Sequence, residues 1–176
     1  PLPSKLQNSS QADDIQTYLS LIQYSDEALR ELIEHYKSID EPTMIVFFGD
    51  HQPSFASELV KTYYPDKTTQ EQRLIGSATP FIIWTNYDSP SEEDIVVSPS
   101  ILGAMVAQQA GFDLPALPNL IMSRIYSKIS VSHEAGVVSR ENGTIYDIDH
   151  LPENLQTEWD KWQKLCYYYL FDFQTQ

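Results

Sequence analysis

The run Met44-Ile45-Val46-Phe47-Phe48 contains no polar residue, and Gly49-Asp50-His51 follows it directly. A strand without polar alternation is buried on both faces, as in a parallel sheet covered by helices. In such sheets ligands collect beyond the carboxyl ends of the strands, where this segment places a carboxylate beside an imidazole. Neighbouring side chains of a strand point to opposite faces. Asp50 and His51 can therefore converge only if the chain turns out of the strand, and Gly49 and Pro53 permit that turn. An oxygen and a nitrogen donor together suit a divalent ion such as Zn²⁺ or Mn²⁺. The alternative reading is an Asp capping a loop with an exposed His beside it.

The elements around this junction follow an α/β rhythm. Ser10 and Asp13 form a helix-opening pair. Ile15, Tyr18, Leu19, Ile22, Leu29, Leu32, Ile33 and Tyr36 then repeat at helical spacing to about Lys37. Asp26 falls near the middle of that apolar stripe and needs a partner there, either a neighbouring loop or a group supporting the metal ligands. Glu41-Pro42 breaks the chain before a strand over 43–48. A short helix over 55–64 and a polar connection over 65–77 lead to a second apolar strand, Thr79-Pro80-Phe81-Ile82-Ile83-Trp84. The order helix, strand, helix, strand predicts a mostly parallel sheet flanked by helices.

Farther on, Ser98-Pro99 opens a helix that Gly111 ends. A further short helix is expected over Leu117–Tyr126. A hairpin is expected over 131–147, turning at Glu141-Asn142-Gly143. The last helix begins near Pro152 and carries Leu155, Trp159, Trp162, Cys166 and Tyr169 on one face, with Cys166 expected to be a buried thiol. It is the sole cysteine, so no intrachain disulfide can form.

Charge narrows the partners. The chain carries 25 acidic against 11 basic residues, a formal charge of −14, which opposes binding to nucleic acid or to anionic lipid surfaces. An anionic substrate would be repelled too, unless a cation at the site supplied positive charge.

With these residues laid out, the chain resembles the sulfatase-like arm of the alkaline phosphatase superfamily, especially the lipoteichoic acid synthase group of phosphoglycerol transferases. The resemblance runs through Tyr24-Ser25-Asp26-Glu27-Ala28-Leu29, Phe47-Phe48-Gly49-Asp50-His51-Gln52-Pro53 and Thr79-Pro80-Phe81-Ile82-Ile83-Trp84. It continues in Ser98-Pro99-Ser100-Ile101-Leu102 and Tyr167-Tyr168-Tyr169-Leu170-Phe171. It implies that Asp50 and His51 are two protein ligands of a divalent metal (Mn, Zn or Mg), with a carbonyl or carboxylate fixing the other nitrogen of His51. The family's nucleophile is a threonine, or a cysteine-derived formylglycine in true sulfatases. It lies well upstream together with a further acidic ligand, and neither has a match here.

Residues 1–176 are therefore expected to be the C-terminal part of a catalytic domain, inactive alone. Its parent would act on anionic lipid or ester substrates at the extracellular face of the cell membrane, anchored by spans outside this sequence. A sulfatase or phosphodiesterase, and a binding module that has lost metal, are the alternatives. His35, His133 and His150 are weaker ligand candidates. Thr43 and Thr79 start strands, the end away from ligand crevices in a parallel sheet.

Overall fold

Asn86 shows how the strands and the first helix are joined. Its side-chain oxygen accepts from the Thr43 backbone N–H at 2.8 Å, and its amide nitrogen donates to the carbonyls of Tyr36, Ile39 and Glu41. The end of one helix, the turn after it and the start of a strand are thereby tied to the end of another strand. Open backbone groups at a helix terminus need such partners.

The structure, a computed structural model, describes residues 2–7, 9–115, 119–168 and 171. It falls into two compact units, Pro1–Asp88 and Ser89–Gln176. In the first unit α1 spans Ala12–Lys37, β1 Met44–Phe48, α2 Ala56–Tyr63, α3 Thr69–Ser77 and β2 Phe81–Thr85. α1 ends at Lys37, where the periodicity predicts. Its start does not use the expected Ser10 cap: Gln11 stands at the boundary without a side-chain cap, and Ser9, in the turn before it, accepts from the Gln11 N–H while donating to Glu58 of α2. The core of this unit is Leu6, Ile15 and Phe55, with Tyr18 set edge-on to Phe55 at 5.5 Å. Burial of these apolar groups holds the first half of α1 against α2.

β1 and β2 pair antiparallel, Met44 opposite Thr85 and Phe48 opposite Phe81. The mixed α/β character holds, but the mostly parallel sheet expected from the sequence is not what the described residues form. The reason lies in the connection. The segment expected to be a polar connection contains α3, opened by a capping box in which Thr68 and Glu71 bond each other's backbone. Gln72 near the start of α3 bonds the Tyr64 carbonyl at the end of α2, and Gly76 near its end lies against Val60. The two helices thus run antiparallel, and an out-and-back pair returns the chain to the end of the strand it left. A single crossover helix would have delivered it to the opposite end.

Burial of β1 differs as well. The strand is not covered on both faces: Phe48 is 57% exposed, and Phe47 and Ile82 are also open. A two-stranded ribbon covers neither face by itself. α1 likewise exposes Leu19, Leu21, Ile22 and Leu32, so the polar environment around Asp26 comes from an open stripe.

In the second unit α4 spans Pro99–Gln109, β3 Ile129–His133, β4 Gly136–Ser139, β5 Ile145–Tyr146 and α5 Glu153–Tyr167. The expected single hairpin is a three-stranded antiparallel meander, β3–β4–β5. Its second turn is at Glu141-Asn142-Gly143, with Gly143 at φ +69° and the Asn142 side chain accepting from the Thr144 N–H. Buried Ser98 does not cap α4 through its side chain. Its hydroxyl instead bonds both backbone groups of Ser132, and its own N–H donates to Ser130. Gly111, at φ +76°, ends α4 as expected.

The helix expected over Leu117–Tyr126 is seen as a wide π-type turn at Ile121–Ile125; Leu117 lies outside the described residues, as do Tyr169 and Leu170. The core is Ile125, Ile129, Val137 and Leu155, flanked by Trp159 and Trp162. Cys166 is exposed, against expectation, because that core is centred on Leu155, three turns earlier. Arg140 stacks on Tyr126 at 3.8 Å and pairs with Glu92, which accepts the Tyr126 hydroxyl.

Two outcomes follow. Asn86→Ala should lower the stability of the chain to chemical denaturation by about 1–3 kcal/mol, since it strands several part-buried backbone groups; a loss under about 0.5 kcal/mol would contradict the role given to Asn86. Glu71 has its carboxyl pKa lowered from 4.5 to about 2, first by the Lys67 ammonium and then by the Thr68 N–H and hydroxyl. A carboxyl pKa depressed on folding stabilises the folded form above the unfolded value, and that contribution disappears as pH falls through the folded one. The start of α3 should therefore fray between pH 4.5 and about 2. Carboxyl NMR giving Glu71 an ordinary midpoint near 4.5 would contradict this.

Candidate metal-ligand pair

The chain leaves β1 at Gly49 and does not continue as strand. Antiparallel pairing puts Ala78-Thr79-Pro80, which leads into β2, directly beside it. The Gly49 N–H donates to the Pro80 carbonyl at 3.0 Å, and the Thr79 hydroxyl donates to the Gly49 carbonyl at 2.8 Å. The Gln52 side-chain amide donates to the Ala78 carbonyl.

Glycine at 49 is required by this approach. A Cβ there would lie 2.9 Å from the Thr79 Cβ, an atom fixed to the backbone that cannot swing away. Gly49 is not among the residues with positive φ, so the freedom to turn that the sequence suggests is not the reason for it.

Asp50 and His51 approach each other in this loop. Asp50 Oδ2 lies 3.6 Å from His51 Nε2. Two donors each about 2.1 Å from a tetrahedral ion are about 3.4 Å apart, so this separation fits a shared cation. The remaining atoms of each side chain are occupied locally. Asp50 Oδ1 accepts from the His51 backbone N–H at 2.9 Å. His51 Nδ1 faces the Gln52 carbonyl at 3.0 Å. With its proton on Nδ1, the ring donates to that carbonyl and leaves the Nε2 lone pair free to bind a cation. A carbonyl on the second nitrogen is the arrangement that orients metal-bound imidazoles.

Both side chains are open to solvent, Asp50 at 83% and His51 at 80%. Donor chemistry and spacing fit a divalent ion, but two donors fill half of a four-coordinate shell. Among the described residues no group of three or more His, Cys, Asp or Glu side chains gathers in a way that could hold one.

The other candidates have surroundings of their own. Asp26 is 65% exposed and bonds Arg30 one turn along α1 at 3.0 Å. It therefore finds its partner within its own helix, and not in a loop or behind a ligand. His35 is exposed and packs edge-on to Tyr36. His133 and His150 belong to the second unit, His133 accepting from the Ala135 N–H in the β3–β4 turn. Thr79 was placed by the sequence at the end of a strand away from ligands. The antiparallel pairing reverses that and sets it beside Gly49, with its hydroxyl engaged as a donor.

Chemistry of this kind is not built into the cleft of the second unit. That cleft, about 180 Å³, is lined by Leu120, Ile121, Ile125, Trp162 and Leu165, with Ser100 and Cys166 at its wall. Although Cys166 is exposed as a residue, desolvation of its sulfur by the surrounding groups pushes the thiol above its ordinary pKa.

Comparison with known proteins identifies the family. The sulfatase family profile matches residues 3–112, which contain β1, the Asp50–His51 loop and β2. A Rhizobium meliloti (strain 1021) protein named for cyclic beta-1,2-glucan modification is 28% identical over 133 residues, covering 72% of this chain and 20% of that protein. The capsular polysaccharide biosynthesis protein RkpI of the same organism is 36% identical over 58 residues, 31% of this chain and 10% of its own length. The chain thus spans a fifth or less of the curated relatives it matches. No solved structure matches. A profile match over more than half of the chain, centred on the strand and loop where the paired donors converge, makes this chain a member of the sulfatase family.

Proposed function

We propose that Asp50 and His51 are two ligands of a divalent metal centre (Mn²⁺, Zn²⁺ or Mg²⁺) in an enzyme that transfers a phosphate- or sulfate-type ester group. The favoured form is transfer of an anionic group such as phosphoglycerol, from a lipid headgroup donor such as phosphatidylglycerol, to a cell-envelope glycan. The observation that carries the reading is the 3.6 Å approach of Asp50 Oδ2 to His51 Nε2 in the loop after β1. Membership of the sulfatase family supports ester chemistry. The names of the two relatives, one for glucan modification and one for capsular polysaccharide biosynthesis, support a glycan acceptor.

Each residue has a definite task on this reading. Asp50 offers Oδ2 as an anionic donor, while its other oxygen is held by the His51 N–H. His51 offers Nε2, and the Gln52 carbonyl holds the ring so that this nitrogen faces outward with Oδ2. The bound cation would supply positive charge to the transferring group and acidity to the attacking hydroxyl. That positive charge matters in a chain of net charge −14, which otherwise repels an anionic ester. The nucleophile and the remaining ligands are assigned to other parts of the full-length protein. No helix among the described residues is long and apolar enough to cross a membrane, so the proposed action at the outer membrane face rests on the chemistry of donor and acceptor.

Metal analysis of the purified full-length protein tests this. The wild type should retain divalent metal, and Asp50→Ala and His51→Ala should each lower its affinity at least tenfold, by analogy with the loss of ligand support in metal sites. Equal metal in all three would remove the pair from the centre and leave a family member that binds without it.

A further inference from the structure

Two consecutive residues in extended chain point their side chains to opposite faces. Bringing Asp50 Oδ2 and His51 Nε2 within 3.6 Å therefore requires a backbone held away from strand geometry. Neither side chain is packed, at 83% and 80% exposed, so the restraint has to come from the main chain. The bonds inside the loop, from His51 N–H to Asp50 Oδ1 and from the ring to the Gln52 carbonyl, set local shape but anchor nothing to the scaffold. The anchors are the contacts to Ala78-Thr79-Pro80. Of these the Thr79 hydroxyl acts nearest the pair, gripping the carbonyl of the residue immediately before Asp50.

The geometry points to Thr79 as the positioning residue of the metal-ligand pair. Its hydroxyl fixes the Gly49–Asp50 peptide, and its Cβ fills the space that only glycine leaves at 49. The Gln52 side chain provides a second hold on the far side of the pair, on Ala78. The loop is thus bracketed at 49 and 52 by the lead-in to β2, with both ligands between the brackets. This inference rests on the metal reading for its purpose, though the clamp itself is a property of the chain without metal.

The test uses the full-length protein in four forms: wild type, Thr79→Val, Thr79→Ser and Asp50→Ala. Thr79→Val keeps the shape of the side chain and removes only the donor. Without added metal, hydrogen exchange at the hydrogen-bonded amides of this loop, Gly49 and His51, should rise at least tenfold in Thr79→Val while the β1–β2 ladder keeps its protection. Affinity for Zn²⁺ or Mn²⁺ should fall about tenfold, as when a supporting hydrogen bond is lost. Thr79→Ser, which restores the hydroxyl, should return both to wild-type values.

Unchanged exchange at Gly49 and His51 in Thr79→Val overturns the proposal, as does a Thr79→Ser that behaves like Thr79→Val. Loss of protection across the whole ladder overturns it as well, since that would mean a general fold contribution. Loosened exchange at Gly49 and His51, with metal affinity equal in wild type and Asp50→Ala, supports the clamp and defeats the metal reading instead. Metal lost in Asp50→Ala with exchange unaltered in Thr79→Val does the reverse.

Discussion

Antiparallel pairing of β1 with β2 is the constraint on which the rest of the first unit depends. It sets the end of one strand against the start of the next, and at that junction Thr79 and Gly49 approach so closely that a methyl group at 49 has no room. The opposite end of the ribbon is closed by Asn86, which binds the end of α1 and the start of β1. A short ribbon is marginal alone and gains definition from these two closures. The loop carrying Asp50 and His51 inherits its geometry from the first of them.

The Asp50–His51 pair is held through its backbone, with little packing of its side chains. Both side chains stand in solvent, yet each spends one polar atom on the neighbouring main chain and turns the other outward. Outward-facing donors in an exposed loop suit a centre completed by other groups. The excess of acidic residues gives such a centre a purpose, because a cation is the simplest way for this chain to attract an anionic ester.

Much of this was legible in the residues. The apolar runs marked both strands, helical spacing placed α1 to its last residue, and Ser98-Pro99 and Gly111 bounded α4. Strand direction was not legible, because apolar patterning is the same for parallel and antiparallel neighbours. It depended on α3, whose Thr68-to-Glu71 capping box lies in a stretch too polar to suggest a helix by periodicity. That signal was present and could have been found by spacing alone. The exposure of Phe48, Asp26 and Cys166 was hidden for a different reason. Periodicity tells which residues share a face, whereas burial depends on what covers that face. The role of Thr79 could not be seen at all, since it arises from a contact 30 residues apart in sequence.

The central claim is that Asp50 and His51 hold one cation together, and the most direct check is the coordination shell itself. X-ray absorption at the metal edge of the full-length protein should show imidazole scattering from His51, lost in His51→Ala, and a carboxylate oxygen lost in Asp50→Ala. A shell that is identical in all three proteins would contradict the account.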